Sequence, residues 1–262
     1  MSKEKIKKNV NEVRQFLEIN WYATLRLNFS KLKFLDAIKF PIIVYGKLKM
    51  LNLSGAITIN CPVKKGILTI GSKLEMVVTS YKTAQLTLGG ELIINGPCTI
   101  GQDVALIIQN GGRFTIGEGS FLGNHTRLIV VNDVYFGRWV RFTYDSQLIS
   151  TNFHYMKDMN TGIVKRMSKK GIVINDYCWI GNHSTIMAGV NLPEKSIVAS
   201  NSLVNKDFRD SPEYPLFGGM PAKLITSGRC RVFNLETESI IHNFFMNNPE
   251  AIEFDASNMN IF

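Results

Sequence analysis

The sequence predicts an all-β protein whose short strands wind into a parallel β-helix, with an N-terminal amphipathic helix and a C-terminal helix outside it. Three observations predict this. Ile174, Ile180, Ile186, Leu192, Val198 and Val204 fall at intervals of six without a miss. Glycine often follows the repeating residue (Gly101, Gly117, Gly123, Gly137, Gly181), and small residues often stand four after it (Ser120, Thr126, Ser184, Ser196, Ser202). From Ile42 to Val204 the chain is rich in Ile, Val, Thr and Gly, with little helical spacing.

A repeat of six with one inward aliphatic residue and one turn residue makes a short strand and a corner. Three such units close a triangular coil, and coils stack at the ~4.8 Å spacing of neighbouring strands. A sandwich or ordinary barrel would instead alternate with period two and turn every ~8–12 residues. Shorter runs precede the long one: Ile94, Ile100, Leu106; then Ile116, Leu122, Leu128; then Phe136, Phe142, Leu148. Their register resets between runs, as loops and bulges would require.

The flanking elements follow from spacing. Ile6, Val10, Val13, Leu17 and Trp21 recur at threes and fours, which predicts an amphipathic helix over residues 5–21 with lysines on its other side. Near Pro41 that spacing stops. The repeat ends after Phe208, and Thr237 followed by Ile240, Ile241, Phe244 and Phe245 predicts a capped last helix ending at Asn248-Pro249. Laid across the open end of the coil, it would cap it. The organisation is thus an N-terminal helical segment over 1–41, a β-helix over 42–225 with an insertion at 155–171, and a C-terminal tail over 226–262.

The chain carries 30 Lys+Arg and 21 Asp+Glu, a net charge of +9. Residues 1–49 hold 11 basic and 4 acidic side chains, which is +7; the remainder hold 19 and 17, which is +2. The nearly balanced body, without a basic-and-aromatic binding motif, argues against nucleic acid as a partner. The basic N-terminal helix leaves room for weak peripheral contact with anionic lipid. No apolar stretch is long enough to span a bilayer, and the N-terminus lacks the form of a secretory signal. Cys61, Cys98, Cys178 and Cys230 are widely spread and never form CxxC, so reduced thiols in a cytoplasmic protein, at most at the inner face of the membrane, are expected.

The stretch IVINDYCWIGNHSTIMAGVNLPEKSIVASNSLVNKDF, followed by GGMPAKLI, resembles the hexapeptide-repeat acyltransferases, and looks most like the O-acetyltransferases of capsular-polysaccharide and lipopolysaccharide biosynthesis. The upstream segment LNFSKLKFLDAIKFPIIVYGKLKMLNLSG is similar to the N-terminal part of the capsule enzymes. The resemblance implies a left-handed β-helix, a homotrimer, acetyl-CoA as co-substrate, and active sites in grooves between subunits.

His154 lies in LISTNFHYMKD, just before a polar segment interrupts the coil. In the resembling enzymes a histidine at this place is the general base, which maps onto His154. The residue type suits the chemistry. A sugar hydroxyl must lose its proton as it attacks a thioester, and an imidazole, with an ordinary pKa of ~6.5, accepts protons near neutrality. Direct transfer needs no Ser or Cys nucleophile. Many capsule-type relatives carry Asp two residues earlier, where this chain has Asn152, so either another group, such as Asp145 or a main-chain carbonyl, orients His154, or the base is weaker here.

Coils of three hexapeptides put residues 18 apart in one column, as with Asn182 and Ser200, or Met187 and Asn205. By the resemblance Trp179, Asn182, Ser200, Asn205 and Lys206 line the CoA path, with Lys223 near the nucleotide end. Family members usually have Thr before the lysine, where this chain has Asn205. Asn124, Asn132 and Asp133, together with Asn152, are the acceptor-binding candidates, and turn residues would look the same. The insertion 155–171 carries Lys157, Lys165, Arg166, Lys169 and Lys170 against Asp158, suited to an anionic acceptor or to plain solvation.

His125 and His183 each stand three after a core aliphatic residue and are expected to face outward. No two histidines lie closer than 29 residues, whereas γ-type carbonic anhydrases, on the same kind of coil, have two ligands five apart, so no metal is expected. The activity expected is acetyl-CoA-dependent O-acetylation of a sugar hydroxyl. Its rivals are N-acetylation of a nucleotide-linked amino sugar, and a non-catalytic scaffold or membrane-surface adaptor.

Overall fold

The computed structural model describes residues 16–72 and 83–262. The aliphatic positions of the repeat become three stacked ladders. Leu106, Leu128, Leu148, Ile186 and Val204 stand opposite one another on successive parallel strands. So do Ile94, Ile116, Phe136, Ile174 and Leu192. The third ladder runs Ile70, Ile100, Leu122, Phe142, Ile180, Val198 and Phe217. All of these are buried, and each fully buried aliphatic or aromatic side chain contributes about 1.5–3 kcal/mol.

Consecutive strands enter different sheets and every third returns, giving sheets of nine, seven and six strands. Among the described strands pairing is parallel except where Leu216–Gly218 meets Lys223–Thr226, and two isolated antiparallel bridges, Ile19 with Tyr45 and Lys157 with Val164, lie outside them. This is the three-sided parallel β-helix that the six-residue repeat predicts. Phe114, Phe136 and Phe142 fill its middle, with ring centroids 5.2 and 5.6 Å apart.

Coil length explains the register resets. From Ile186 to Val204 one coil takes 18 residues, but Leu106 to Leu128 takes 22 and Leu128 to Leu148 takes 20. The extra residues sit at corners, for example in the turn where Gly112 N donates to Gln109 O. Between Leu148 and Ile186 the step is 38, because the insertion leaves the coil there.

The corners are tight. A Cβ on Gly123 would lie 2.5 Å from Tyr144 N, and one on Gly181 would lie 2.6 Å from Ser200 N, so only glycine lets those coils stack. At the corner between the nine- and seven-stranded sheets, Asp103, His125, Asp145, His183 and Asn201 all take left-handed backbone, with φ of 56–59°. Asn, Asp and His tolerate that region better than most residues.

At the N-terminal end, α1 (Trp21–Lys31) covers the first coil, followed by α2 (Phe34–Ala37). The expected helix over residues 5–21 falls mostly outside the described residues, and Trp21 belongs instead to α1. Asn20 is the reason: its side chain accepts from Ala23 N at 3.1 Å and starts a new helix there.

The C-terminal helix α3 (Leu235–Asn247) exists, but Asn234 caps it rather than Thr237. The Asn234 side chain accepts from Thr237 N, while the Thr237 hydroxyl is turned to Asn260 O at 2.7 Å. Nor does α3 lie across the open end. Phe233 and Phe262 pack on Tyr177 at the edge of the nine-stranded sheet, which draws the tail along that face. Among the described residues no helix is long and apolar enough to cross a membrane.

Candidate active site

The predicted site residues gather at two corners of the prism. The first corner joins the nine- and seven-stranded sheets. There Asn124, Trp179, Asn182 and Ser200 line a single cavity of about 650 Å³. Trp179 enters from the strand Trp179–Ile180; Asn182 and Ser200 stand on the turns of successive coils. The Ser200 hydroxyl donates to Asn182 Oδ1, so the two share a column as the count of 18 predicts. Asn182 Nδ2 donates to the Tyr144 hydroxyl at 3.1 Å, which fixes its amide. Asn124 is buried, and its Oδ1 accepts from Gln102 N at 2.9 Å, so it holds the corner as well as lining the cavity.

Phe121, Arg141, Thr143 and Tyr144 supply the cavity's next wall, and the tail closes it with Arg231, Val232, Glu238 and Ile241. The Arg231 guanidinium lies 5.5 Å from both the Trp179 and Phe233 ring centroids. Arg141 stacks on Phe121 at 4.8 Å and Trp139 at 4.9 Å, and donates to Gly119 O. Such stacking holds a cation against apolar surface. The cavity therefore offers an aromatic wall, amide and hydroxyl groups along one edge, and two guanidinium groups above them.

The second corner joins the seven- and six-stranded sheets. His154 leaves the coil there, exposed, with its main-chain N donating to Asn152 O at 2.7 Å. One coil earlier, Asn132 Nδ2 donates to Ser150 O at 2.7 Å and Ser168 O at 3.2 Å, tying together the two ends of the insertion. Asp133 beside it is exposed, 4.0 Å from Arg113 Nη1. Asn205 and Lys206 follow the strand Leu203–Val204 and so belong to this side as well, with Lys206 Nζ 5.2 Å from the Phe208 ring. Lys223 is exposed on the terminal hairpin.

The structure thus brings Asn124, Trp179, Asn182 and Ser200 together around one cavity, and it sets Asn132, Asp133, Asn152 and His154 at the second corner. It does not bring the two groups together within one chain. Asn205 and Lys206 lie apart from Trp179, contrary to the single path expected, and the count itself carries this: six residues separate one corner from the next.

Asp145 does not reach His154. It stands at the first corner, 3.3 Å from His125 Nδ1 and 4.0 Å from His183 Nε2, and Asp103 lies 3.8 Å from His125 Nε2. Acid and imidazole therefore alternate up that corner. Among the described residues no group of three His, Cys, Asp or Glu is arranged to hold a metal ion.

Sequence reasoning missed Arg141, Tyr144 and Arg231. Arg141 stands directly opposite Trp179, 38 residues away. Subtracting the insertion from that step would have found it. Arg231 comes from the tail, where no repeat gives a register.

Burial pushes the Cys98 and Cys178 thiols up to about 12, and burial also raises Cys61 and Cys230. None of the four is prepared to act as a thiolate nucleophile.

No family model matches the chain. Among solved structures it is similar to the polySia-specific acetyltransferase NeuO, with 19% identity over 78% of this chain and 93% of that one, at a TM-score of 0.49. It is similar to a variant of AntD, an N-acyltransferase from Bacillus cereus, in complex with dTDP-4-amino-4,6-dideoxyglucose and coenzyme A. That match has 17% identity over 77% of this chain and 88% of that one, at a TM-score of 0.43. The polysialic acid O-acetyltransferase OatWY matches with 19% identity over 78% and 85%, at a TM-score of 0.35.

Proposed function

We propose that the protein is an acetyl-CoA-dependent O-acetyltransferase acting on a sugar hydroxyl during assembly of a surface polysaccharide, and that it works as a homotrimer. The observation that carries this reading is the convergence of Trp179, Asn182 and Ser200 on one cavity. Those are three of the residues that the sequence resemblance assigns to the CoA path.

The cavity suits a thioester donor. Its aromatic and aliphatic walls accept the pantetheine arm, the Asn182 and Ser200 groups meet its amides, and Arg141 and Arg231 supply positive charge for phosphate. His154 serves as general base from the other corner. In a threefold assembly with parallel coil axes, the His154 corner of one chain faces the cavity of its neighbour, and the groove between them holds both substrates.

There the imidazole takes the hydroxyl proton as the sugar oxygen attacks the thioester carbonyl carbon. The carbon–sulfur bond breaks, CoA leaves as the thiol with that proton, and the acetyl ester forms. A main-chain N–H at a corner stabilises the oxyanion between these events. Asn132 positions the loop that carries His154, and Asn152 holds His154 through its main-chain carbonyl. Because the donor is a cytoplasmic metabolite, the reaction belongs on that side of the membrane.

The test is a panel of hydroxyl and amino sugars offered with acetyl-CoA, with thiol release as readout, for the natural chain and His154→Ala. Release with hydroxyl acceptors, lost in His154→Ala while CoA binding persists, is the expected result. Release with amines only would overturn O-acetylation, and an unchanged rate in His154→Ala would remove the base.

A further inference from the structure

Helix α1 is inside out. Its buried face carries Thr24 and Asn28 beside Ala23 and Leu27, and its outward face carries Trp21, Tyr22, Leu25 and Phe29. The inner polar groups have a clear task. Asn28 Nδ2 donates to Ile42 O at 2.7 Å, Ile42 N donates to Asn28 Oδ1 at 3.2 Å, and Val44 N donates to Thr24 Oγ1 at 3.0 Å. They satisfy the free edge of the first strand, which would otherwise face no neighbour. The outer apolar groups have no such task.

Helix α2 and its C-cap residue enlarge the outer face with Phe34, Leu35 and Ile38, of which Phe34 is 69% and Leu35 is 72% exposed. The rings form a continuous run across it. Phe16 lies 5.2 Å from Trp21, Trp21 lies 6.0 Å from Phe40, and Phe29 lies 6.2 Å from both Phe40 and Phe34. Arg26 and Lys33 stand on the same two-helix segment with Lys39, which is 3.5 Å from Asp36. A contiguous apolar surface of this kind marks a docking site.

We propose that this end of the coil docks on an anionic lipid bilayer, with α1 and α2 lying in its interface. Two features select lipid from other occupants. Trp, Tyr and Phe beside Arg and Lys is the composition of a helix that settles at the headgroup level. The charge is complementary too: residues 1–49 hold 11 basic and 4 acidic side chains, while the rest of the chain is nearly balanced. The proposal goes beyond the acetyl-transfer reading and does not depend on it.

The full-length protein is sedimented with phosphatidylcholine vesicles, with and without about 30 mol % phosphatidylglycerol, at about 0.1 M and about 0.5 M salt. It is expected to pellet with the anionic vesicles at the lower salt and to remain in the supernatant with phosphatidylcholine alone. Phe34→Ser/Leu35→Ser and Lys33→Glu/Lys39→Glu are each expected to lower the partition coefficient at least about tenfold, with the far-ultraviolet dichroism unchanged. These four side chains are exposed, so the variants keep their fold.

Failure to pellet with anionic vesicles would overturn the proposal. So would binding that survives both double substitutions, because another basic segment would then be responsible. Self-association that disappears in Phe34→Ser/Leu35→Ser, without vesicle binding, would assign the face to a second copy of this chain.

Discussion

Asn28 is the residue on which the first coil depends, and Asn28→Ala is the perturbation that tests it. Its side chain makes three hydrogen bonds: Nδ2 to Thr24 O at 2.7 Å, Nδ2 to Ile42 O at 2.7 Å, and Oδ1 from Ile42 N at 3.2 Å. Thr24 O already lies in the helical ladder, so losing that bond costs little. The Ile42 N–H and C=O are different, because Ile42 and Asn28 are both fully buried. A buried main-chain group left unsatisfied costs about 1–3 kcal/mol, so two cost about 2–6 kcal/mol. Taking the middle, about 4 kcal/mol, protection of the Ile42–Tyr45 amides against hydrogen exchange should fall by about 10³-fold. Exchange read peptide by peptide is the right assay, since a stacked coil can open at one end without unfolding elsewhere. Coils beyond Cys98 should keep their protection. A loss of less than about fivefold at Ile42–Tyr45 would show that water or backbone adjustment replaces the side chain, and would refute the account of α1 as an edge cap.

Two other predictions concern the coil. Gly123→Ala sets a Cβ 2.5 Å from Tyr144 N, an overpacking that costs about 1–3 kcal/mol; a lowered melting temperature together with weaker CoA binding is expected, since Tyr144 lines the cavity. Cys98 and Cys178, raised by burial from 9.0 to about 12, should resist a thiol reagent until the chain unfolds, while the half-buried Cys61 and Cys230 react. Between about pH 9 and 12 the unfolded thiols have lost protons that the folded ones keep, so stability falls as pH rises through that window. Replacing Cys98 and Cys178 with Ala should flatten that part of the pH profile.

The hexad was legible because it records one simple fact, an aliphatic side chain pointing into a narrow prism once per strand. Ile174 to Val204 reads cleanly since each coil there has 18 residues. Earlier coils have 20 or 22, and a corner absorbs the extra residues without moving any core side chain, so periodicity breaks although packing does not. The inverted face of α1 was not legible. Spacing rules assign apolar residues to the interior, whereas Thr24 and Asn28 are buried to complete a strand edge that only the assembled coil creates. In the site, Asn182 above Ser200 was legible from the step of 18. The tail's share was not, because Arg231, Glu238 and Ile241 reach the cavity by folding along the nine-stranded face, and no repeat carries that information.

The separation of His154 from the cavity supports a sharper test of the proposed assembly. Within one chain the two groups occupy different corners of the prism, so a site that uses both must draw them from different chains. His154→Ala lacks the proposed base but keeps the cavity, and Trp179→Ala keeps the proposed base but loses the cavity's aromatic wall. Each is expected to be nearly inactive alone. Co-expressed in equal amounts, they form mixed trimers in which a site is intact when the Trp179→Ala chain supplies His154 and the His154→Ala chain supplies the cavity. With random mixing that holds for about one site in four, so activity should return to about a quarter of the natural level. A site complete within one chain would recover nothing, because every chain carries one defect. The quarter-level recovery, read as thiol release per trimer, therefore tests the shared groove independently of which sugar is the acceptor, provided that one accepted sugar is in hand. No recovery, with mixed trimers demonstrated by a tag on one of the two chains, would refute a groove shared between subunits.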